Sequence, residues 1–229
     1  MAIVPYNLGD AYEAKLFGVL AVNRVLPTGA VRAGAGGGPD LQFVHRTKIY
    51  NLEAKVDLKA DYGQKCFGWT RTRGWYWSNP GGTTELYDHL GVLRYLNDKN
   101  LTPIKHRVDD ESITATDKSS DQEMFEDRSF KIDIKSLYSY YQDKSVYYIQ
   151  IGDGFGFYSL GDDPAGLEVP KFSAALILRF RAKTIHSDPI HNYRFYAVLK
   201  VDATRKSVPA KSSFSIEESV DQSFPPISP

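Results

Sequence analysis

Residues Pro39 to Lys55 read PDLQFVHRTKIYNLEAK and predict two adjacent strands joined by a short turn. Leu41 to His45 alternates apolar and polar side chains closely enough for the first strand. Arg46 to Lys48 supplies the turn, and Ile49 to Val56 follows as the second strand. The preceding segment, Thr28 to Gly38, contains five glycines and predicts a mobile loop. The chain therefore enters this pair of strands directly from a loop.

Three charged residues in this stretch have the chemistry of a metal-dependent phosphodiesterase. Twelve residues lie between Asp40 and Glu53, which is enough for the end of one strand, a tight turn and the start of the next. The two carboxylates can therefore converge on one hard divalent cation. Lys55 adds a positive charge that can hold an attacking water or the scissile phosphate. The candidate catalytic residues are Asp40, Glu53 and Lys55.

The second strand separates its charged residues from an apolar face. Successive side chains of a strand point to opposite faces, so Glu53 and Lys55 share one face. A solvated strand would show the same alternation, so the pattern permits joint chemistry without requiring it. The other face has the apolar residues expected of a core: Tyr50, Leu52, Ala54 and Val56.

A second pair of residues fits the same spacing. Asp57 and Lys59 lie on the same side of an extended strand as Glu53 and Lys55. We prefer Glu53 and Lys55 because the apolar alternation is cleanest around them, and we expect Asp57 and Lys59 to lie at the end of the strand.

The order of Asp40, Glu53, Ala54 and Lys55 resembles the motif of the PD-(D/E)xK nuclease superfamily, which includes type II restriction endonucleases. The resemblance covers roughly residues 7 to 70. It implies a mixed sheet flanked by helices and hydrolysis of phosphodiester bonds with Mg²⁺ as cofactor. It also implies that Asp40 and Glu53 bind Mg²⁺, with the backbone carbonyl of Ala54 as a further ligand, and that Lys55 acts on the attacking water.

Two neighbouring segments extend the resemblance. Asp10 to Arg24 predicts an amphipathic helix that Asn7 could cap. Many family members carry an acidic residue on this first helix that reaches the metal, which implies that role for Glu13; the alternative is an exposed helix charge. Asp61 to Gln64 resembles the segment after the motif in families that place a Gln near the active site. Gln64 is therefore a candidate nucleic-acid-binding residue, with an ordinary polar loop residue as the alternative.

The segment Trp69 to Trp77, WTRTRGWYW, interleaves basic and aromatic residues. In one continuous strand, Trp69, Arg71 and Arg73 would share a face. Arginines can contact phosphates or guanine edges, and aromatic rings can stack on unpaired bases. The alternative is that the tryptophans belong to the core and the arginines are ordinary surface residues. Arg71 and Arg73 are candidate nucleic-acid-binding residues.

A second basic stripe lies near the end of the chain. Arg179, Arg181 and Lys183 alternate with Phe180 and Ala182, so the three cations line one face of a predicted strand. Such a stripe can meet a phosphate backbone, although solvated strands also carry stripes of this kind. We include all three cations among the candidate nucleic-acid-binding residues.

Composition limits the possible classes of protein. The chain has 229 residues, with 28 basic and 28 acidic residues, so its net charge is zero. Neutrality argues mildly against general nucleic-acid binding, although a local basic cleft is compatible with it. Cys66 is the only cysteine, which excludes an internal disulfide and a multi-cysteine zinc site. No apolar run approaches a membrane span and no signal-peptide pattern is present. We expect a cytoplasmic protein, bacterial or virus-encoded and acting inside the host cell.

The pattern of elements predicts an α/β fold with a restriction-endonuclease-like mixed sheet flanked by helices and with additional C-terminal strands. We expect a catalytic core over residues 1–80, recognition and dimerisation elements of the same domain over 81–205, and a Ser/Pro-rich tail over 206–229. Further expectations are a solvated loop over 108–129, helices over 83–97 and 130–141, and strands over 145–151, 174–183 and 193–201.

The predicted function is that of a Mg²⁺-dependent endodeoxyribonuclease, most simply a site-specific enzyme of the restriction type that cuts double-stranded DNA and leaves a 5′-phosphate. A homodimer is expected because a twofold-symmetric protein matches a palindromic duplex. The alternatives are a phage-encoded or homing, repair or junction-resolving nuclease with the same catalytic residues, an enzyme that cleaves RNA, and a non-catalytic nucleic-acid-binding module.

Overall fold

A computed structural model describes residues 8–32, 39–62, 64–100, 102–106, 113–126, 129–184, 193–202, 208–218 and 222–229. The described elements, in chain order, are α1 (Leu8–Val22), β1 (Leu41–His45), β2 (Lys48–Lys55), β3 (Gln64–Thr70), β4 (Gly74–Trp77), α2 (Gly82–His89), α3 (Val92–Asp98), a short 3-10 helix (Ile104–His106), α4 (Ala115–Glu126), β5 (Ser129–Ile132), α5 (Ile134–Asp143), β6 (Val146–Ile151), β7 (Gly156–Ser159), β8 (Leu176–Thr184) and β9 (Tyr193–Val201). The predicted α/β class is confirmed.

The chain divides into two compact units, each built from discontinuous segments. Unit 1 comprises residues 1–60, 134–175 and 201–229, and unit 2 comprises residues 61–133 and 176–200. The predicted division at residue 80 lies within unit 2, between β4 and α2. None of the described helices combines the length and apolarity needed to cross a membrane.

Unit 1 contains a mixed four-stranded sheet in the order β1-β2-β6-β7. β1 is antiparallel to β2, β2 is parallel to β6, and β6 is antiparallel to β7. Helix α1 buries one face, which carries Tyr12, Leu16 and Leu20 at intervals of four residues. The predicted helix is therefore confirmed, but it runs from Leu8 to Val22 and not from Asp10 to Arg24, where the φ of Arg24 is 57°. Asn7 lies outside the described residues. These helix residues share a core with the sheet residues Leu41, Phe43, Leu52, Ala54, Tyr148 and Phe157.

A two-residue turn fixes the register of β1 against β2. Arg46 and Thr47 both have positive φ, 46° and 66°, which matches the twist that a two-residue hairpin requires. The last residues of the chain support this turn, since the Arg46 N–H donates to the Ser228 carbonyl at 2.9 Å. The Ser228 N–H in turn donates to Nδ1 of buried His45 at 3.1 Å. Leu41 consequently lies opposite Leu52.

The described part of the C-terminal segment packs against unit 1. The Phe157 N–H donates to the Phe214 carbonyl at 2.7 Å. Ile216 is fully buried, and its N–H donates to Oε1 of Gln150 at 2.9 Å. The segment therefore supplies part of the core of unit 1.

Unit 2 contains an antiparallel five-stranded sheet in the order β4-β3-β9-β8-β5. One face of this sheet is aromatic, and helices pack on it. The Trp77 ring lies 5.7 Å from Tyr87 of α2, and the Phe180 ring lies 5.9 Å from Tyr95 of α3. Gln122 of α4 donates to the carbonyl of Ala182 at 3.2 Å. The other residues of the aromatic face include Phe67, Trp75 and Phe195.

Three sequence-based expectations about unit 2 and its boundary are wrong. The helix expected over 83–97 is broken at Leu90 and Gly91, where Gly91 has a φ of 73°. The loop expected over 108–129 contains α4. The helix expected over 130–141 is wrong in its first part, because residues 129–132 form the edge strand β5 and pair with β8, so that the helix α5 begins only at Ile134.

Helix α4 is stabilised by polar groups, which explains why apolar periodicity did not predict it. Asp117 and Thr114 cap its N-terminus reciprocally, through hydrogen bonds of 2.9 Å and 3.2 Å between side chain and backbone. Asp121 is fully buried and accepts hydrogen bonds from the N–H groups of Ile104 and Lys105 at 2.8 Å and 3.1 Å. A solvent-exposed loop and a helix anchored by a buried carboxylate have similar compositions.

Candidate active site in unit 1

Asp40 lies immediately before β1, at the open end of the hairpin, opposite to its turn. Its Oδ2 accepts a hydrogen bond from the Ala54 N–H at 2.9 Å. The register supports this contact, because Leu41 lies opposite Leu52 and one further step brings Asp40 opposite Glu53. The two carboxylates, which have twelve residues between them in sequence, are therefore neighbours in the structure.

Glu53 and Lys55 lie on the same face of β2 and form an ion pair. Lys55 Nζ is 2.6 Å from Glu53 Oε1, and the two side chains are only 15% and 11% exposed. These low exposures decide against the solvated strand that the alternating pattern also allowed. In the adjacent strand β6 the paired residues are Ile149 and Ile151, both fully buried. The ion pair is therefore enclosed by apolar neighbours, where charges interact strongly.

Glu13 of α1 belongs to the electrostatic environment of this pair. Burial raises the pKa of its carboxyl, the charge of Lys55 lowers it, and the negative charges of Glu53 and Asp10 raise it further. Asp10 itself is paired with Arg32 at 2.8 Å. The structure thus brings the acidic residue that was singled out on the first helix to the vicinity of the catalytic candidates.

Asp40 has the most perturbed carboxylate of the group. Burial and then the negative charge of Glu53 raise its pKa to about 7, although Lys55 and the hydrogen bond from Ala54 both act to lower it. Glu13 raises it further. The carboxylates of Asp40, Glu53 and Glu13 therefore influence one another and the ammonium group of Lys55 in a poorly solvated place, and the excess negative charge favours a bound cation.

The donor atoms suit a hard divalent cation such as Mg²⁺. Asp40 and Glu53 offer carboxylate oxygens, and the carbonyl of Ala54 remains the predicted third ligand. Within the described ranges, no group of three or more His, Cys, Asp or Glu side chains is assembled as a metal centre. The candidate ligands are therefore the carboxylates of Asp40 and Glu53, and Glu13 contributes negative charge to their environment. Mg²⁺ usually keeps several water ligands and binds to one or two carboxylates.

Gly152 is a positioning residue that the sequence did not indicate. Its N–H donates to the Lys55 carbonyl at 2.9 Å, at the point where β6 ends beside the end of β2. A Cβ at this position would lie 2.3 Å from the Val56 carbonyl oxygen and 3.1 Å from the Tyr12 ring. Residues 152–155 form the turn between β6 and β7, and the close approach of this turn to β2 depends on tertiary packing.

The competing pair Asp57 and Lys59 does not lie on the strand. β2 ends at Lys55, and residues 56–59 form a bend and a turn in which Leu58 is buried and Lys59 is exposed. Their predicted position beyond the strand end is confirmed.

The candidate nucleic-acid-binding residues all lie in unit 2, where the structure brings some of them together. Gln64 begins β3 rather than a loop, and its Oε1 accepts a hydrogen bond from Lys183. On β8, the half-buried Arg179, Arg181 and Lys183 alternate with buried Leu178, Phe180 and Ala182. The predicted common face of the three cations is therefore confirmed.

The expectation that Trp69, Arg71 and Arg73 share a strand face is wrong. β3 ends at Thr70, and Arg71 to Arg73 form the exposed turn before β4, since Trp69 pairs with Trp75 across the hairpin. Trp75 and Trp77 are buried in the aromatic core. The alternative assignment of these two tryptophans to the core is therefore correct.

Comparisons with protein-family models, with curated proteins and with solved structures find no match to this chain. The argument about function therefore rests on the geometry and chemistry of its own residues.

Proposed function

We propose that the protein is a Mg²⁺-dependent endodeoxyribonuclease that hydrolyses phosphodiester bonds of double-stranded DNA at specific sites. The observation that carries the proposal is the buried cluster of Asp40, Glu53 and Lys55 at one end of a mixed sheet. Structural ion pairs also perturb pKa values, but they balance their charges, whereas this cluster leaves its carboxylates in excess. The parallel pairing of β2 with β6, with α5 directly before β6, accords with a restriction-endonuclease-like core.

Each residue of the cluster has its own role in the proposed reaction. Asp40, Glu53 and the Ala54 carbonyl would hold Mg²⁺, which lowers the pKa of a bound water and stabilises charge on the phosphate. Lys55 orients the attacking water and offsets negative charge on the scissile phosphate. The water oxygen forms a bond to phosphorus while the bond from phosphorus to O3′ breaks. The water gives up a proton to solvent and the departing O3′ takes one up, which leaves a 5′-phosphate.

Double-stranded DNA is the preferred substrate in this proposal. Two of the three tryptophans that could have stacked on unpaired bases, Trp75 and Trp77, pack in the core, while Trp69 is half-buried. This weakens the argument for a branched or single-stranded substrate. A homodimer acting in the cytoplasm would match a palindromic site, and size-exclusion chromatography with light scattering tests that part of the proposal.

Plasmid cleavage tests the proposal with a matched pair of variants. Lys55→Met removes the buried charge with little change in volume, and Lys59→Met makes the same change on an exposed turn four residues later. We expect discrete fragments with Mg²⁺ from the wild type and from Lys59→Met, and none from Lys55→Met or with EDTA. Circular dichroism controls for folding. Cleavage by a folded Lys55→Met protein, or no cleavage of any DNA by the wild type, would overturn the proposal.

A further inference from the structure

The sheet of unit 2 has an extreme charge composition for a chain of zero net charge. Its five strands contain seven lysines and arginines and no aspartate or glutamate. A random selection of residues from this chain would contain similar numbers of basic and acidic residues, since the chain has 28 of each. The seven cations are Lys65, Lys131, Arg179, Arg181, Lys183, Arg194 and Lys200.

Most of these cations lie on the face of the sheet opposite to the aromatic core. On β9, Tyr193, Phe195 and Ala197 point to the core, so Arg194 and Lys200 fall on the other side, and Arg194 is exposed. On β8 the alternation places three cations on that same side. We call this surface the basic face and define it by Gln64, Tyr76, Arg179, Arg181, Lys183, Arg194, Tyr196 and Lys200.

Aromatic rings lie beside cations on the basic face. Lys183 Nζ is 5.7 Å from the centroid of the Tyr196 ring. Tyr76 lies over Gly68, where a Cβ would approach its ring to 2.9 Å, and the Arg73 guanidinium is 4.4 Å from the centroid of the same ring. These contacts keep long basic side chains along the sheet and reduce the rotamer entropy that binding would otherwise cost.

The cations are arranged in rows and do not converge on one point. Alternate residues of a strand are about 7 Å apart, and adjacent strands are about 4.8 Å apart. Arg179, Arg181 and Lys183 therefore form a line roughly 13 Å long, with Arg194 on the neighbouring strand. Lys200, also on that strand, forms an ion pair with Asp61 at 2.9 Å and is not counted among the phosphate-binding cations. A small anion needs converging donors, whereas a polyanion with regularly spaced charges suits such rows.

We infer that the basic face binds the phosphate backbone of duplex DNA. This inference rests on the proposed function, because it takes duplex DNA as the substrate. Arg194, Lys200 and Tyr196 are the residues that the sequence patterns did not indicate. Binding by this face depends on counterion release and does not require Mg²⁺.

Salt-dependent binding tests the inference without any cleavage. Fluorescence anisotropy in EDTA would measure the affinity of a labelled 30-base-pair duplex over a range of NaCl concentrations. The wild type should give a slope of log K against log salt of about −4 if the three cations of β8 and Arg194 each neutralise a phosphate. Arg194→Ala should reduce the steepness by about 1, and Arg179→Ala with Arg181→Ala by about 2.

The controls separate this face from the rest of the chain. Arg94 is exposed on α3, which packs against the aromatic core, so Arg94→Ala makes the same charge change away from the basic face. It should leave the slope unchanged. Equal slopes for wild type and Arg194→Ala, an equal loss in Arg94→Ala, or tighter binding to duplex RNA than to duplex DNA would overturn the inference.

The two proposals fail in different ways. If the basic face binds DNA as expected but Mg²⁺ produces no cleavage, the nuclease proposal fails while the inference stands. If cleavage depends on Lys55 but substitution of Arg179, Arg181 and Arg194 leaves the salt slope of DNA binding unchanged, the inference fails while the nuclease proposal stands.

Discussion

The two sheets of this protein use charge in opposite ways. In unit 1, the carboxylates of Asp40 and Glu53 and the ammonium of Lys55 are buried next to isoleucines. In unit 2, half-buried and exposed cations line one face of the strands, and the strands contain no acidic residue. The comparison teaches that a net charge of zero for the whole chain can conceal different charge patterns in its two sheets. Buried opposite charges suit chemistry, and surface charges of one sign suit binding of a polyanion.

The contrast between the two sheets is tested most strongly by removing a charge from the catalytic cluster of unit 1 without changing the basic face of unit 2. Glu53→Gln keeps the shape of the side chain but removes a proposed metal ligand. We expect single-turnover cleavage to fall by at least about 100-fold, while DNA affinity in EDTA remains at the wild-type value. Glu85→Gln, on the exposed surface of α2, serves as the control and should retain full activity. Loss of DNA affinity in Glu53→Gln would show that the two roles are not separate.

The pH dependence of stability provides a second test of unit 1. Asp40 has a pKa of about 7 in the folded protein against 3.8 for the free side chain, so the folded state binds the proton more tightly. The metal-free protein should therefore lose stability as the pH rises from about 4 to about 7, with the full loss present above 7. Asp40→Asn, which can still accept the Ala54 N–H, should be more stable than wild type by about 1–3 kcal/mol at pH 8 and nearly equal to it at pH 4.

Urea unfolding at the two pH values measures this difference. Addition of Mg²⁺ at pH 8 should stabilise the wild type and leave Asp40→Asn unchanged, because a bound cation relieves the repulsion among the carboxylates. A stabilising effect of Asp40→Asn that is equal at both pH values would assign the effect to packing and not to charge.

Gly152 tests whether β6 holds the end of β2 in place. Gly152→Ala should lower the free energy of unfolding by about 2–4 kcal/mol, because its Cβ would meet the Val56 carbonyl oxygen at 2.3 Å. Gly18→Ala, in the exposed surface of α1 with nothing within 4 Å, should instead raise it by about 0.5–1 kcal/mol. Thermal unfolding compares the two variants, and equal behaviour would contradict the close approach described for Gly152.

The smallest expected effect concerns the exposed turn between β3 and β4. Arg71→Ala should change the free energy of unfolding by less than about 0.5 kcal/mol, because the side chain is exposed. The effect of Arg71→Ala on the salt slope of DNA binding shows whether the basic face extends to this turn. A decrease in steepness of about 1 would extend the face to this turn, and no change would limit it to the strands.

The local pattern predicted the parts of the fold that depend on neighbours in sequence. The alternation in β1 and β2 gave both strands, the hairpin between them and the common face of Glu53 and Lys55. The register that places Asp40 next to Glu53 was not predicted in detail, because the turn consists of Arg46 and Thr47 alone, whereas the pattern predicted a turn over Arg46 to Lys48. Arg179, Arg181 and Lys183 were placed by alternation alone.

The parts that depend on distant residues were not predictable in the same way. Helix α4 is held by the buried carboxylate of Asp121, and β5 exists because it pairs with β8. The sequence around Arg194 did not predict a binding role, because a single cation in a largely apolar strand is common. Arg194 became a candidate only because β9 lies next to β8 and its three cations. The contact of Gly152 with β2 joins residues almost one hundred positions apart in sequence.

Cleavage at saturating protein tests the division of roles between the two sheets most directly. DNA would be mixed with Mg²⁺ and an excess of wild-type, Asp40→Asn or Arg194→Ala protein at low salt, so that all the DNA is bound and binding does not limit the rate. The account predicts no product with Asp40→Asn and the wild-type rate with Arg194→Ala. Cleavage by Asp40→Asn at the wild-type rate, or its loss in bound Arg194→Ala, would contradict it.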